Sequence, residues 1–322
     1  MKQLQTILSF LLASFFLVAN ANAAENEASL SQLLARGDEQ LMANDVPKAI
    51  KTYEEGVQLI ELLRLENPPT SSTKLTDAPA LMESLSIYTN LGTAYSVMME
   101  YNPTLYQSKT IQAYRKALQL HQERVDNGKR NEIKNKDGIK TINQVAAQAA
   151  FFLGMEYQDL AQFDNSMNAY GLAYTLDNNH WASMANLGAL FHDFSGGDDE
   201  QFSFAKRMEE ALTAYNKAYE ILTQTTEEPT DYPNDVNFIL SQLQYRIGII
   251  LSHDLKRTCL HADTQDEVDC QQMATYAFQL AVDYDGSNQP AKHMLASLTA
   301  DATVVRASNE YVTELFEQYA KK

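Results

Sequence analysis

The sequence predicts an all-α fold, a solenoid of stacked antiparallel helix pairs, on three observations. First, Leu153-Gly154-x-x-Tyr157 returns 34 residues later as Leu187-Gly188-x-x-Phe191, and a fixed period of that length marks a helical repeat array. Second, small and large residues alternate at the offsets where two packed helices need close approach and interlocking. Third, Asp177-Asn178-Asn179 closes one unit as a helix stop, and Trp181 opens the next without a gap.

Counting from Ala147 as position one, Leu153 is seventh, Gly154 eighth, Tyr157 eleventh, Tyr170 twenty-fourth and Ala173 twenty-seventh. The same frame places Leu33, Gly37, Ala49, Tyr53 and Gly56 at positions four, eight, twenty, twenty-four and twenty-seven of an uninterrupted earlier copy. These positions resemble the tetratricopeptide repeat (TPR), in which the eighth and twenty-seventh residues are small and the fourth, seventh, eleventh and twenty-fourth are bulky. Asn178 stands where that pattern closes with proline. The resemblance implies a right-handed superhelix of paired helices.

Three further copies are stretched. Tyr88, Leu91, Gly92 and Tyr95 form a first helix whose partner, Ile111 to Leu120 with Tyr114 and Ala117, arrives late, so a helix or turn is extended around Asn102-Pro103. Gly188 is separated from Ala211, Tyr215 and Ala218 by Ser195-Gly196-Gly197-Asp198-Asp199, and Ile247-Gly248-x-x-Leu251 from Ala274, Phe278 and Ala281 by a third insertion. Pro290 to Leu298 supplies only a first helix. The structural small positions are therefore Gly37, Gly92, Gly154, Gly188 and Gly248. Breaks in the frame divide the chain into a leader (1–23), repeat 1 (24–63), a linker (64–84), repeat 2 with an insertion (85–124), a linker (125–146), repeat 3 (147–180), repeat 4 with an insertion (181–225), a linker (226–240), repeat 5 with an insertion (241–288) and a terminal half-repeat with a tail (289–322). The linkers carry loop chemistry, as in Asn67-Pro68-Pro69-Thr70-Ser71-Ser72, and Arg130 to Lys140 is locally basic.

The leader has the form of a cleaved secretory signal: Lys2, an apolar run from Ile7 to Ala19, then Ala21-Asn22-Ala23 before Ala24-Glu25. The run falls short of the roughly 20 apolar residues of a membrane span, so export without stable membrane insertion is expected, into a periplasm, a secretory-pathway lumen or the exterior. Pairing of the two cysteines, Cys259 and Cys270, is then favoured by an oxidising compartment. Such a bridge is worth about 2–3 kcal/mol in the loop-entropy model. A zinc site with His253, Asp254, His261 and Asp263 is the alternative, although the ligand spacing does not match the usual one. No metal or other cofactor is expected.

With 25 basic against 42 acidic side chains and a net charge of −17, the surface disfavours nucleic acid and anionic membranes. In the TPR family, ligands lie along the wall built by the first helices, and the resemblance implies that positions two, five, six, nine, twelve and thirteen face them. Here those positions carry Thr89, Asn90, Thr93 and Ser96, then Phe151, Phe152, Met155 and Gln158, then Asn186, His192 and Asp193, then Gln242, Tyr245, Arg246 and His253. Asn90 and Asn186 can both donate to and accept from a peptide backbone. Positions five and nine lack the lysines and arginines that TPR proteins use to clamp a terminal carboxylate, so a mixed polar and aromatic groove for a protein or peptide segment is expected.

Catalytic patterns are missing. The six histidines are scattered, with no G-x-S-x-G or H-E-x-x-H beside them. The segment His293 to Thr299 followed by Tyr311 to Ala320 resembles the junction that leads, in TPR-fused methyltransferases, into a catalytic domain, but no glycine-rich cofactor loop accompanies it. The expected function is a non-catalytic interaction scaffold. The repeat portion of a methyltransferase system and an envelope or glycan-assembly scaffold are the alternatives.

Overall fold

A computed structural model describes residues 29–66, 78–126, 136–193, 204–224, 236–254 and 264–300. The leader, Cys259 and the tail lie outside these residues. Every described element is helical, without a strand. They are α1 (Leu30–Met42), α2 (Val46–Glu66), α3 (Ala78–Met98), α4 (Pro103–Asp126), α5 (Lys136–Asp159), α6 (Phe163–Leu176), α7 (Trp181–Asp193), α8 (Phe204–Gln224), α9 (Val236–Ile249), α10 (Thr264–Tyr284) and α11 (Gln289–Ala300). Consecutive helices pair as α1/α2, α3/α4, α5/α6, α7/α8 and α9/α10, and α11 packs on α10.

Each pair is locked by the same contact. The glycine of the first helix lies under the aromatic ring of the second: Gly37 under Tyr53, Gly92 under Tyr114, Gly154 under Tyr170, Gly188 under Tyr215 and Gly248 under Phe278. A methyl group on Gly92 would sit 2.6 Å from the Tyr114 ring, and one on Gly154, 2.7 Å from that of Tyr170. Neither is a distance that carbon atoms tolerate, so these helices approach closely only because the side chain is a hydrogen. One turn before each ring stands a small, fully buried residue: Ala49, Thr110, Ser166, Ala211 or Ala274. Ser166 uses its burial to donate 2.7 Å to the Gly154 carbonyl. One turn after each ring, Gly56, Ala117, Ala173, Ala218 and Ala281 leave room for the next layer. At Gly56 that layer is Ile87 of α3, whose Cδ1 lies 3.0 Å from where a Cβ would be. The paired helices are thus hairpins of the TPR type, as the spacing of small and large residues predicts.

Insertions are absorbed at the start of second helices. α2 and α6 begin seven residues before Tyr53 and Tyr170, whereas α4 and α8 begin eleven before Tyr114 and Tyr215, and α10 fourteen before Phe278. The increments approximate one and two helical turns of 3.6 residues. Asn102 accepts a hydrogen bond from the Leu105 amide as the cap of α4, and Pro103 takes the first helical position, where its missing N–H costs nothing. Helix also occupies part of the segments with loop chemistry: α2 runs to Glu66, α3 starts at Ala78 and α5 at Lys136. The early turns of α3 and α5 bury Leu81, Leu85, Ile142 and Ala146, and that apolar burial outweighs the polar flanks.

The chain divides into two compact units, residues 1–178 and 179–322. Unit 1 contains α1 to α6. Its first helices adjoin in chain order, α3 packing against both α1 and α5, while α2 contacts α3 and α4 contacts α5. In unit 2, α7 to α11, α9 packs on α8. α9 continues as a π-helical turn, Ile250–Asp254, in which the consecutive residues Ile250, Leu251 and Ser252 are all buried.

Candidate functional site

In unit 1 the first-helix positions from the second repeat are occupied with holding the hairpins together. Thr89 and Thr93 are buried, donating to the Leu85 and Thr89 carbonyls at 2.8 and 3.2 Å. Thr93 also lies 3.2 Å from the Tyr114 hydroxyl. Asn90 is buried and donates 2.8 Å to Oδ1 of Asp38 on α1. Phe152 stacks in the interior between Phe151 and Tyr114, with ring centroids 5.6 and 5.7 Å away. The partly exposed members of this set are Ser96, Met155 and Gln158, and the Gln158 carbonyl accepts from the Tyr170 hydroxyl at 2.8 Å.

Two buried carboxyls complete the unit 1 wall, and the repeat pattern does not flag either. Asp38, one residue past Gly37, accepts from Tyr53 at 2.6 Å as well as from Asn90, while its Oδ2 is buried with no hydrogen-bond partner. Burial pushes its pKa up to about 7 against the opposing pull of those two hydrogen bonds. Glu156 accepts from Ser96 at 2.7 Å, and burial, supported by the nearby Asp159 charge, raises it too to about 7. Asp159 is itself raised by burial. A charged residue at position nine was the available sequence signal at Asp38, since the other repeats carry Thr93, Met155, Ala189 and Ile249 there.

In unit 2, Asn186, His192, Tyr245 and Arg246 are all partly exposed. Arg246 joins three helices of unit 2. Its Nη1 donates to the Tyr215 hydroxyl at 3.4 Å and sits 3.6 Å from the Asp193 carboxylate, so α9 meets both α7 and α8 through one guanidinium. Burial pushes the Tyr215 phenol up to about 12, with Arg246 pulling the other way. His192 lies 4.0 Å from Asp193, and the Tyr245 ring packs on Phe278 with centroids 5.9 Å apart. The partly exposed residues of unit 2 thus include a cation, an imidazole, an amide and an aromatic ring, groups able to hydrogen bond and stack with a polypeptide.

Among the described residues, no group of three or more His, Cys, Asp and Glu side chains is placed to hold a metal ion. The alternative zinc set falls outside them, since Cys259, His261, Asp263 and the side chains of His253 and Asp254 are not described. Cys270 is buried on α10, and no described cysteine is a free thiol. No helix among the described residues is long and apolar enough to cross a membrane.

Five hairpins with one shared glycine-to-ring lock define, by architecture, an all-α helical-repeat protein of the TPR type. No protein-family model matches the chain, and no curated protein matches it in sequence. Among solved structures it is similar to MamA, at 13% identity and a TM-score of 0.44 over 80% of this chain and 92% of that one. It is also similar to YrrB, described as a TPR protein with an unusual peptide-binding site, at 13% identity and a TM-score of 0.39 over 83% and 92% of the two chains. A third is the C-terminal part of a TPR repeat-containing protein from Cytophaga hutchinsonii, at 12% identity and a TM-score of 0.34 over 90% and 93%. At these scores the hairpin assignment rests on the packing inside this chain rather than on the neighbours.

Proposed function

We propose that this protein is an exported, non-catalytic interaction scaffold that holds a segment of another protein against its first-helix walls. The observation that carries the proposal is the set of partly exposed polar and aromatic residues on the first helices of unit 2. Tyr245, Arg246, His192 and Asn186 remain partly exposed, as do the neighbouring apolar side chains Leu187, Phe191 and Ile249, and this mixture supports a binding surface there. The negative charge of the chain suits a partner that is not itself strongly acidic. Export is supported by the leader composition, and the bridge between Cys259 and Cys270 follows from it, since a paired Cys270 would pin the insertion of the fifth hairpin.

A photo-crosslinking amino acid placed at Gln158 in unit 1 and, separately, at Tyr245 in unit 2 tests the proposal in the compartment where the protein accumulates. The expected result is the same polypeptide captured from at least one site, and its loss when Arg246 is replaced by Glu in the Tyr245 experiment. Capture no stronger than from an exposed position on a second helix, such as Thr213, would overturn it. Recovery of the processed chain, starting near Ala24, from outside the cytosol tests export.

A further inference from the structure

Helix α3 is the middle first helix of unit 1, and it makes a hydrogen bond to a buried carboxyl on each side. Toward α1, Asn90 Nδ2 donates to Asp38 Oδ1 at 2.8 Å; toward α5, Ser96 Oγ donates to Glu156 Oε1 at 2.7 Å. Each carboxyl is only 6% exposed. Neither takes part in any described ion pair. The groups facing Asp38 are the Tyr53 phenol from α2 and the Asn90 amide from α3. Those facing Glu156 are Ser96 from α3, the Tyr114 phenol from α4 and Asp159 on its own helix. None of them is a cation. A charge formed at either seam would thus meet phenols, amides and, at Glu156, another acid.

We propose that Asp38 and Glu156 are proton-operated latches that fix α3 between its neighbours when neutral and loosen it when ionised. Ionisation would strengthen each single hydrogen bond, but it would leave an uncompensated charge inside a packed seam, a cost that exceeds the gain from one or two neutral donors. The order of causes agrees, since burial outweighs the hydrogen bonds in both groups and raises both to about 7. The sign follows from linkage. The folded state holds a proton over a pH range in which the unfolded chain, at ordinary values of 3.8 and 4.5, has lost it. Stabilisation from the two groups is therefore complete in acid below those ordinary values and is lost as pH rises through about 7. Because Oδ1 of Asp38 accepts from both donors, the proton would sit on Oδ2, which has no other partner. The coupling makes the grip of unit 1 on α3, and with it the spacing of its first helices, responsive to the neutral range.

Amide hydrogen exchange on the full chain tests this, with rates corrected for intrinsic base catalysis and with α9 and α10 as internal reference. Protection of α3 is expected to fall about tenfold or more between about pH 5 and pH 8 relative to the reference. In the double variant Asp38→Asn, Glu156→Gln, which keeps side-chain size and an acceptor oxygen, the fall should vanish. A fall of equal size in the variant, or none in the native protein, overturns the proposal. Should the variant not fold, carbon-13 titration of the two carboxyls in the native chain decides: midpoints near neutrality support the latches, and midpoints in the ordinary carboxylate range overturn them.

Discussion

A glycine in a helix costs about 1 kcal/mol relative to alanine, yet the five at position eight cannot be exchanged without moving a ring. Two glycines of one hairpin make the contrast measurable. At Gly154 a methyl group would press on a fully buried Tyr170 ring, so Gly154→Ala should lose about 1 kcal/mol or more in urea unfolding, overpacking outweighing the gain in propensity. At Gly171 on the following helix nothing lies within 4 Å of an added Cβ, so Gly171→Ala should gain about 0.5–1 kcal/mol. The first set of glycines was legible in the sequence because close helix approach restricts one position to hydrogen while demanding a large partner at a fixed offset. Glu156 was not legible, and Asp38 showed only as an acid at a position that is uncharged in the other repeats. Their importance comes from the helices of neighbouring repeats, and a frame that describes one repeat at a time carries no information about the seam. For the same reason Asn90, read from its position as facing a ligand, lies buried against Asp38 of the preceding hairpin, and Thr89 and Thr93 are buried beside it.

Whole helices show why insertions did not disturb the pattern. A second helix can lengthen at its start without shifting the ring that faces the glycine, because the added turns precede the crossing. The delays before Tyr114, Tyr215 and Phe278 were visible in the sequence, but their division between turn and helix was not, since residues such as Leu105 and Tyr106 suit either. Helix ends give the sharper test. α1 begins with a capping box in which Ser29 Oγ accepts from the Gln32 amide and the Gln32 side chain accepts from the Ser29 amide, at 3.3 and 3.0 Å. Ser29→Ala should cost about 1 kcal/mol, and amide exchange should rise in the first turn of α1 while α5 and α6 keep their protection. Equal loosening of α5 would indicate that the cap is coupled to the entire unit.

At the scale of the molecule, the two units each carry their own buried core. A fragment spanning residues 29–178 should fold alone, with a helical circular-dichroism spectrum and a cooperative urea transition; a non-cooperative transition would show that unit 1 depends on the rest of the chain. Repeat architecture was legible from one end of the array to the other because each hairpin solves the same local packing problem. The identity of a partner was not, since the packing constrains partly exposed side chains such as Gln158 and Arg246 less tightly than it does the glycines and rings of the hairpin core.

The rings that plug the glycines have a second end. Four are tyrosines, and their hydroxyls emerge among first-helix residues: Tyr53 at Asp38, Tyr114 at Thr93, Tyr170 at Gln158 and Tyr215 at Arg246. Each phenol thus links the crossing of two helices to a first-helix side chain, partly exposed at Gln158 and Arg246 and buried at Asp38 and Thr93. Site-labelled phenol resonances at these four positions would act as native probes, registering any change in helix spacing hairpin by hairpin.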